Sequence, residues 1–503
     1  MQPRLKKPLP AALVLALMLA NPAGAQGNAD VPTIRVGVMQ IEPTWDPSRT
    51  IGALTMPLMK LVYDSLTVIG PDGTVVPQLA TGWTSDDAGQ SFVFTLREDV
   101  TFTNGDTFDA EDVRASLDYY VNTPTSTIGA LLGNIAEIIV EGPHQVRFVQ
   151  RVPDVTLPAV FTDRAGMMLS ADVIASGDFA VPVGSGPYVL VAEQPGVSQE
   201  FEANPDHWNP DNVGAGRIIA LRYEDPVARA NGLRSGDLDM TVVSANQIAE
   251  VMTTSGIQTY QIRGRQLRGL TLNPNVYEPL RDERVRRALD LSINRVGQAQ
   301  GILLGEGEAA SQYVLSTSPY FAPDVEPIPY DLDQARALLA EAGHADGLSF
   351  TMTSPPRYRR EAEALQADWA QIGVTVDLIF PAGAGNARAI WYDQTVPVGI
   401  WAIDGRNDLG IFYRALFAPD AAFNPSRQAP EDLIALITEA NTRVNEDERR
   451  AVFAEIAQLV TTQTQIQIPM SFEYQIVAYG GRLTNVTPWQ GGFPYLHGVG
   501  VSN

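Results

Sequence analysis

The second half of the chain repeats a pattern of helix, glycine and strand. The stretch 331–344, DLDQARALLAEAGH, starts with an aspartate suited to capping a helix, places Leu338 and Leu339 together and stops at Gly343. LSFTMTS (348–354) then has the alternation of a strand, and a second helical stretch ends at Gly373 just before the strand-like VTVDLIF (374–380). This alternation predicts an α/β domain for the second half.

The first 25 residues are typical of a secretory signal peptide. A basic start with Arg4, Lys6 and Lys7 precedes an apolar run at 11–20 and a small-residue site, Ala-Gly-Ala, at 23–25. The apolar run is too short for a stable membrane span. We therefore expect this segment to be cleaved during export.

The sequence contains no cysteine. Disulfides and thiolate metal sites are thereby excluded, and the predicted cleavage site has no cysteine to carry a lipid anchor. We expect a protein that is not membrane-anchored and that diffuses freely in a periplasm, where a second membrane retains it.

The chain is strongly acidic, with 35 basic and 58 acidic residues. Three of the basic residues lie in the predicted signal peptide, which leaves 32 against 58 acids and a net charge of about −26. A surface of this charge repels nucleic acid and anionic lipid, so we expect neither as a partner.

Motifs for catalysis or cofactor binding are missing from the sequence. The four histidines are scattered, and neither HExxH nor a Walker, GxGxxG or GxSxG motif occurs. We predict a binding protein that is not an enzyme and has no cofactor and no resident metal. A secreted hydrolase with two carboxylates in a cleft is the alternative from another class.

A binding protein needs a cleft with aromatic walls and a few fixed polar anchors. Several aromatic residues fall in segments with loop character and are candidates for such walls: Trp45, Trp391, Tyr392, Trp401, Phe472, Tyr474 and Trp489.

The segment from about 70 to 190 is rich in short strands and turns. Within it, LREDVTFTNGDTFDAEDVRASL (96–117) contains a turn at Asn104-Gly105 and a helix that Asp109 can cap, with Val113 and Leu117 one turn apart. These features give its acidic residues structural roles, and no catalytic role is needed to explain them.

The same stretch resembles a signature of the extracytoplasmic solute-binding proteins of family 5. The resemblance extends along the chain, with Ser185 and His207 standing where the family has Thr and Tyr. The matching segments are LVYDSL (61–66), PQLATGW (77–83), VGSGPYVL (183–190), NPDHWNP (204–210) and LTLNPNVYEPLRDERVRRALDLSINR (270–295).

The resemblance implies an α/β fold of the type II periplasmic-binding-protein kind, with two lobes, a hinge and three domains. Domain I is expected to be split over 26–69, 190–270 and 481–503, domain II to be the strand-rich insert 70–189, and domain III to be the α/β part 271–480. Because family members serve ATP-binding-cassette (ABC) importers, a monomer that docks transiently on a permease of the inner membrane is implied.

Peptide-binding relatives carry a Gly-Trp-x-x-Asp segment whose Asp pairs with the ligand's α-amino group. IWAIDGRNDLG (400–410) resembles it, with Ile400 in place of Gly and Asp404 three residues after Trp401. Asp404 is therefore the expected amine anchor. Arg406 and Arg388 are candidates for binding a ligand carboxylate.

Trp401, Trp45 and Tyr474 complete the candidate ligand-binding residues. The expected ligand is a short peptide or an amino-acid-derived solute. An oligosaccharide or opine-like ligand is the alternative among binding proteins, because tryptophan faces suit sugars.

Overall fold

The structure, a computed structural model, describes residues 31–50, 55–71, 73–86, 89–264, 266–383, 385–404, 408–419, 421, 423–428, 430–463, 466–488 and 494–502, apart from the side chain of Asp404. The predicted signal peptide, Arg406 and Trp489 lie outside these residues.

The strands of the described residues are numbered in chain order. They are β1 (Thr33–Val38), β2 (Thr67–Ile69), β3 (Val75–Pro77), β4 (Ala80–Ser85), β5 (Ser91–Leu96), β6 (Ile135–Gly142), β7 (Gln145–Gln150), β8 (Tyr188–Gln194), β9 (Ser198–Ala203), β10 (Arg217–Arg222), β11 (Met240–Val243), β12 (Ile257–Ile262), β13 (Gln266–Leu272), β14 (Gly307–Ala309), β15 (Leu348–Thr353), β16 (Val374–Ile379), β17 (Val398–Asp404), β18 (Gln467–Glu473), β19 (Gln475–Gly480), β20 (Leu483–Thr484) and β21 (Gly500–Val501).

The helices are numbered in the same way. They are α1 (Met56–Val62), α2 (Ala110–Asn122), α3 (Leu157–Val160), α4 (Ala171–Ser176), α5 (Pro226–Ser235), α6 (Ala245–Val251), α7 (Glu283–Leu291), α8 (Arg295–Gly301), α9 (Leu332–Glu341), α10 (Arg359–Ala370), α11 (Gly385–Ala387), α12 (Leu409–Phe417), α13 (Glu431–Thr442) and α14 (Glu446–Thr462).

Capping side chains fix several helix starts where the sequence predicts them. The Asp109 carboxylate accepts from the Glu111 N–H at 2.7 Å, and Asp112 bonds back to the Asp109 N–H at 2.9 Å, which completes a capping box on α2. Asp331 accepts from two N–H groups at the start of α9. Gly343 and Gly373, which follow helices α9 and α10, have φ of 87° and 81°, a region that glycine adopts without strain.

Three larger sheets organise the chain. A seven-stranded sheet has the order β12-β19-β11-β1-β10-β9-β8, with β11, β1 and β10 parallel. A four-stranded antiparallel sheet has the order β4-β5-β7-β6. A six-stranded sheet has the order β14-β18-β13-β17-β15-β16, with β17, β15 and β16 parallel.

The buried apolar clusters divide the sheets into two lobes. One cluster joins β1 of the seven-stranded sheet, through Ile34, to β5 of the four-stranded sheet, through Phe94. Two other clusters contain only residues from 267 to 472. They pack on opposite faces of β17, since one contains Ile400 and the other Trp401. We call the described residues of 32–262 and 475–502 lobe A, and the described residues of 266–473 lobe B.

The predicted domain boundaries stay predictions. The positions of two strands differ from the predicted boundaries between domains. β13 begins at Gln266, before the predicted start of domain III at 271. β19 lies inside the predicted range 271–480, yet it pairs with β11 and β12 in the seven-stranded sheet.

Candidate functional site

The chain passes between the lobes twice in the described residues. Both passages lie beside the carboxyl ends of parallel strands. One passage joins β12 to β13, and Tyr474 forms the other. In lobe A, β19 begins beside the carboxyl end of β11, where Val243 pairs with Ile476. In lobe B, β13 begins beside the carboxyl end of β17, where Gln266 pairs with Asp404. The carboxyl ends of the parallel strands of both sheets therefore flank the passages, a position where α/β sheets bind ligands.

Strand β17 extends beyond its parallel neighbour. On that side Ile400 O accepts from Asn386 Nδ2 at 2.9 Å, and past Ile400 the edge is open among the described residues. Its pairing with β15 ends at Gly399, and from there to Asp404 it pairs with β13 alone among the described strands. The Asn273 N–H donates to Pro397 O at 2.8 Å, so odd-numbered residues direct their backbone groups at β13. The N–H and C=O of Ala402 consequently face the open edge.

Trp401, on the same strand, is buried against the neighbouring strand β13. It is 3% exposed, and its indole lies so close to β13 that a Cβ at Gly269 would be 2.5 Å from Trp401 Cζ2. The indole Nε1–H donates to Gln467 Oε1 at 3.1 Å. Trp391, which is partly exposed, has its ring centroid 6.5 Å from that of Trp401 and 5.3 Å from that of Phe423. Trp391 thus offers an aromatic face that Trp401 does not.

The structure describes only part of the predicted charged anchors. The backbone of Asp404 ends β17, but its side chain and Arg406 lie outside the described part. Arg388 has 73% of its side chain exposed, and its Nε–H lies 3.0 Å from Asp393 Oδ2 in the same turn.

Trp45 lies within lobe A rather than on an exposed surface. It is 4% exposed, and its ring meets Phe201 edge-on with centroids 5.9 Å apart. Its backbone oxygen accepts from the Tyr63 hydroxyl at 2.7 Å.

Tyr474 is the residue that passes between the lobes. Its N–H donates to Glu306 O at 3.0 Å, and its hydroxyl donates to Glu308 Oε2 at 2.9 Å. Burial and the hydrogen bond to Glu308 raise the pKa of Tyr474 to about 12. The guanidinium of Arg263, in the other passage, lies 5.6 Å from the Tyr474 ring centroid. These contacts give Tyr474 a place in the hinge.

A buried ion network beside β17 was not predicted from the sequence. Arg268, opposite Ala402 on β13, is 5% exposed and ion-pairs with Glu361 and Glu473. Its guanidinium also lies 4.5 Å from the Tyr358 ring centroid. An arginine inside the apolar run QLRGLTL is a signal of a buried partner, but the sequence does not show which acids those are.

A further cation, Arg357, was also missed. It lies in the turn that follows the carboxyl end of β15, is exposed, and stacks 4.7 Å from the Tyr358 ring centroid. Among the described residues no carboxylate pairs with it. Its position after a parallel strand makes it a candidate contact for an anionic group of a ligand.

The described residues contain no group of three or more His, Asp or Glu side chains placed to hold a metal ion. None of their helices is both long and apolar enough to cross a membrane.

Comparisons with known proteins agree on one family. The family model described as "Bacterial extracellular solute-binding proteins, family 5 Middle" matches residues 74–423. Di/tripeptide-binding protein 1 of Pseudomonas aeruginosa is 27% identical over 67% of this chain and 69% of its own length. The glutathione-binding protein GsiB of Salmonella paratyphi A is 26% identical over 93% of this chain and 94% of its own.

A solved structure shows the same fold. The periplasmic binding protein DppA of Helicobacter pylori, in complex with the peptide STSA, superposes with a TM-score of 0.81 at 20% identity and covers 94% of this chain and 98% of its own. The predicted α/β fold of the type II kind is thereby confirmed.

Proposed function

The chain belongs to the bacterial extracellular solute-binding proteins of family 5, the substrate-binding proteins of ABC importers, and we propose that it captures a short peptide or an amino-acid-derived solute. The family consists of binding proteins, so the secreted-hydrolase alternative is not retained. Capture in the periplasm, delivery to a permease and a monomeric state are parts of the same proposal.

The open edge of β17 is the observation that carries the proposal. An extended peptide adds to such an edge as an extra strand, because its main-chain N–H and C=O groups complete hydrogen bonds that the sheet leaves open. Ala402 presents both groups there. Recognition of the main chain alone would admit peptides with different side chains.

Charged groups at the two ends of the ligand would fix its direction. Asp404, where β17 ends, is proposed to pair with the α-amino group, since a desolvated ammonium needs a carboxylate partner. Arg406 and Arg388 remain candidates for the ligand carboxylate, and Arg357 joins them because it is exposed and follows β15.

Closure of the two lobes supplies the mechanism. Arg263 and Tyr474 lie in the passages that would serve as the hinge. A ligand that contacts both lobes binds the closed arrangement more tightly and shifts the equilibrium toward it. The permease would then recognise the closed form.

An oligosaccharide or opine-like ligand is the second candidate. The partly exposed face of Trp391, supported by Trp401 and Phe423, is the observation that favours it, because aromatic faces stack on sugar rings.

The experiment compares tri-alanine with N-acetyl-tri-alanine on protein refolded from denaturant, by titration calorimetry. Tri-alanine should bind, the acetylated form should bind at least tenfold more weakly, and Asp404→Ala should remove the difference. Asp333→Ala is the matched control, because its side chain is 97% exposed on α9. Equal affinities of the two peptides for the unmodified protein would contradict the amine anchor.

A further inference from the structure

Among the described residues, two contacts join the lobes outside the hinge passages. The loop that follows β7 in lobe A meets the carboxyl-terminal ends of helices α12 and α13 in lobe B. Arg414 Nη2 of α12 lies 2.8 Å from Asp154 Oδ2. The Val155 N–H donates to Asn441 O of α13 at 2.8 Å.

The lobe A side of this contact is held rigidly. The Asp154 side chain is 4% exposed, and its Oδ1 accepts from the Thr156 N–H at 2.9 Å. The Asp154 N–H donates to Gly89 O at 3.1 Å. Oδ2 is left to face Arg414, so the loop presents a fixed carboxylate oxygen to the other lobe.

The lobe B side is equally well defined. Helices α12 and α13 approach so closely at Gly410 that a Cβ there would lie 1.7 Å from Asn441 Oδ1. Asn441 lies in the last turn of α13, where backbone carbonyls have no partner within the helix. The Val155 N–H of lobe A therefore completes a hydrogen bond that α13 cannot make itself.

We propose that Asp154, Val155, Arg414 and Asn441 form a latch that stabilises the closed arrangement of the lobes. In this proposal, rotation about the passages that opens the cleft separates this pair of surfaces. The latch rests on the proposed function in one respect, namely that closure accompanies ligand capture. These four residues act on the closure of the lobes and not on the ligand.

The contribution of the Asp154–Arg414 ion pair to the equilibrium between closed and open lobes follows from the solvent exposure of the two side chains. Asp154 is buried, but 43% of the Arg414 side chain is exposed, so solvent screens the ion pair. Pairs of this kind change an equilibrium about two- to fivefold. Loss of the Arg414 guanidinium should lower the ratio of closed to open molecules by that factor and should speed ligand release more than it slows association.

A cysteine pair measures the closed population without any ligand. The chain has no cysteine of its own, so Val155→Cys with Asn441→Cys introduces one possible disulfide. The 2.8 Å hydrogen bond between these residues brings their backbones close, and a disulfide needs a Cα separation of roughly 4.4–6.8 Å. The rate of disulfide formation under fixed oxidant then reports how often the lobes meet.

In this background Arg414→Ala should slow disulfide formation about two- to fivefold. Arg450→Ala is the matched control, because Arg450 is 45% exposed and pairs with Asp447 at 2.8 Å within α14. The control should keep the parent rate. An unchanged rate in Arg414→Ala would overturn the latch.

A second measurement needs no cysteines. Small-angle X-ray scattering of Arg414→Ala should show a larger radius of gyration than the parent chain and Arg450→Ala, and three identical curves would overturn the latch. Both measurements omit ligand, so failure of tri-alanine to bind would count against the proposed peptide function and leave the latch to be judged on closure alone.

Discussion

Asp408→Ala tests how lobe B holds the start of helix α12. Asp408 is the N-cap of α12, where its Oδ1 accepts from the Gly410 N–H at 2.8 Å. The same carboxylate receives two hydrogen bonds from Arg449, at 2.6 and 2.7 Å. Only 8% of the Asp408 side chain and 4% of the Arg449 side chain are exposed.

This variant loses two contributions to the free energy of unfolding. Removing the cap costs about 1 kcal/mol. Leaving Arg449 buried without its carboxylate costs about 3–5 kcal/mol. Arg449 keeps hydrogen bonds to Ala440 O at 2.9 Å and to the Tyr320 hydroxyl at 3.2 Å, which places the second loss at its lower end. The free energy of unfolding should therefore fall by about 4 kcal/mol.

Urea unfolding followed by circular dichroism measures this loss. Asp333→Ala, which removes a 97% exposed carboxylate, should stay within about 0.5 kcal/mol of the parent. The double variant Asp408→Ala with Arg449→Met should recover about 1–3 kcal/mol, because no unpaired charge stays buried. A loss below about 1 kcal/mol in the single variant, or a double variant less stable than the single one, would refute the reasoning.

Two further predictions concern other parts of the fold. Burial holds the pKa of His497 at about 4, below its ordinary 6.5. The unfolded chain therefore binds a proton between these values that the folded chain does not, so stability should fall by about 2 kcal/mol from pH 7.5 to pH 5 through this group. His497→Gln should remove that part of the dependence in urea titrations at the two pH values, and an unchanged slope would argue against it. Gly269→Ala should cost about 1–3 kcal/mol, because its Cβ would lie 2.5 Å from Trp401 Cζ2. Gly82→Ala, where a Cβ meets no atom within 4 Å, is the control in the same unfolding assay, and equal losses in the two variants would contradict the packing argument.

Local sequence signals predicted individual elements well. The Asp109 cap of α2, the Asp331 cap of α9 and the glycines that end α9 and α10 are all found as expected. These features depend on groups a few residues apart, so the sequence contains the whole interaction. The run from Gln467 to Gly480 shows the limit. It is one apolar, strand-like stretch, but it divides at Tyr474 between two sheets, and periodicity does not show which sheet a strand joins.

Only the part of the candidate site that lies in a recognisable motif was predictable from the sequence. The segment around Trp401 does form a strand at the carboxyl ends of the parallel strands. Its open edge depends on β15 ending early, which is a property of the sheet and not of the segment. Arg268 pairs with acids 93 and 205 residues away. No spacing rule connects groups so distant, and the hinge contacts of Tyr474 have the same long-range origin.

Hydrogen exchange at the backbone amide of Ala402 tests the central claim most directly. If a peptide adds to the open edge of β17, saturating tri-alanine should slow exchange of this amide at least tenfold, because the N–H gains a main-chain acceptor. N-acetyl-tri-alanine should give less protection at the same concentration. If tri-alanine raises the melting temperature and the Ala402 amide exchanges as fast as before, the peptide binds elsewhere and the account of the site is wrong.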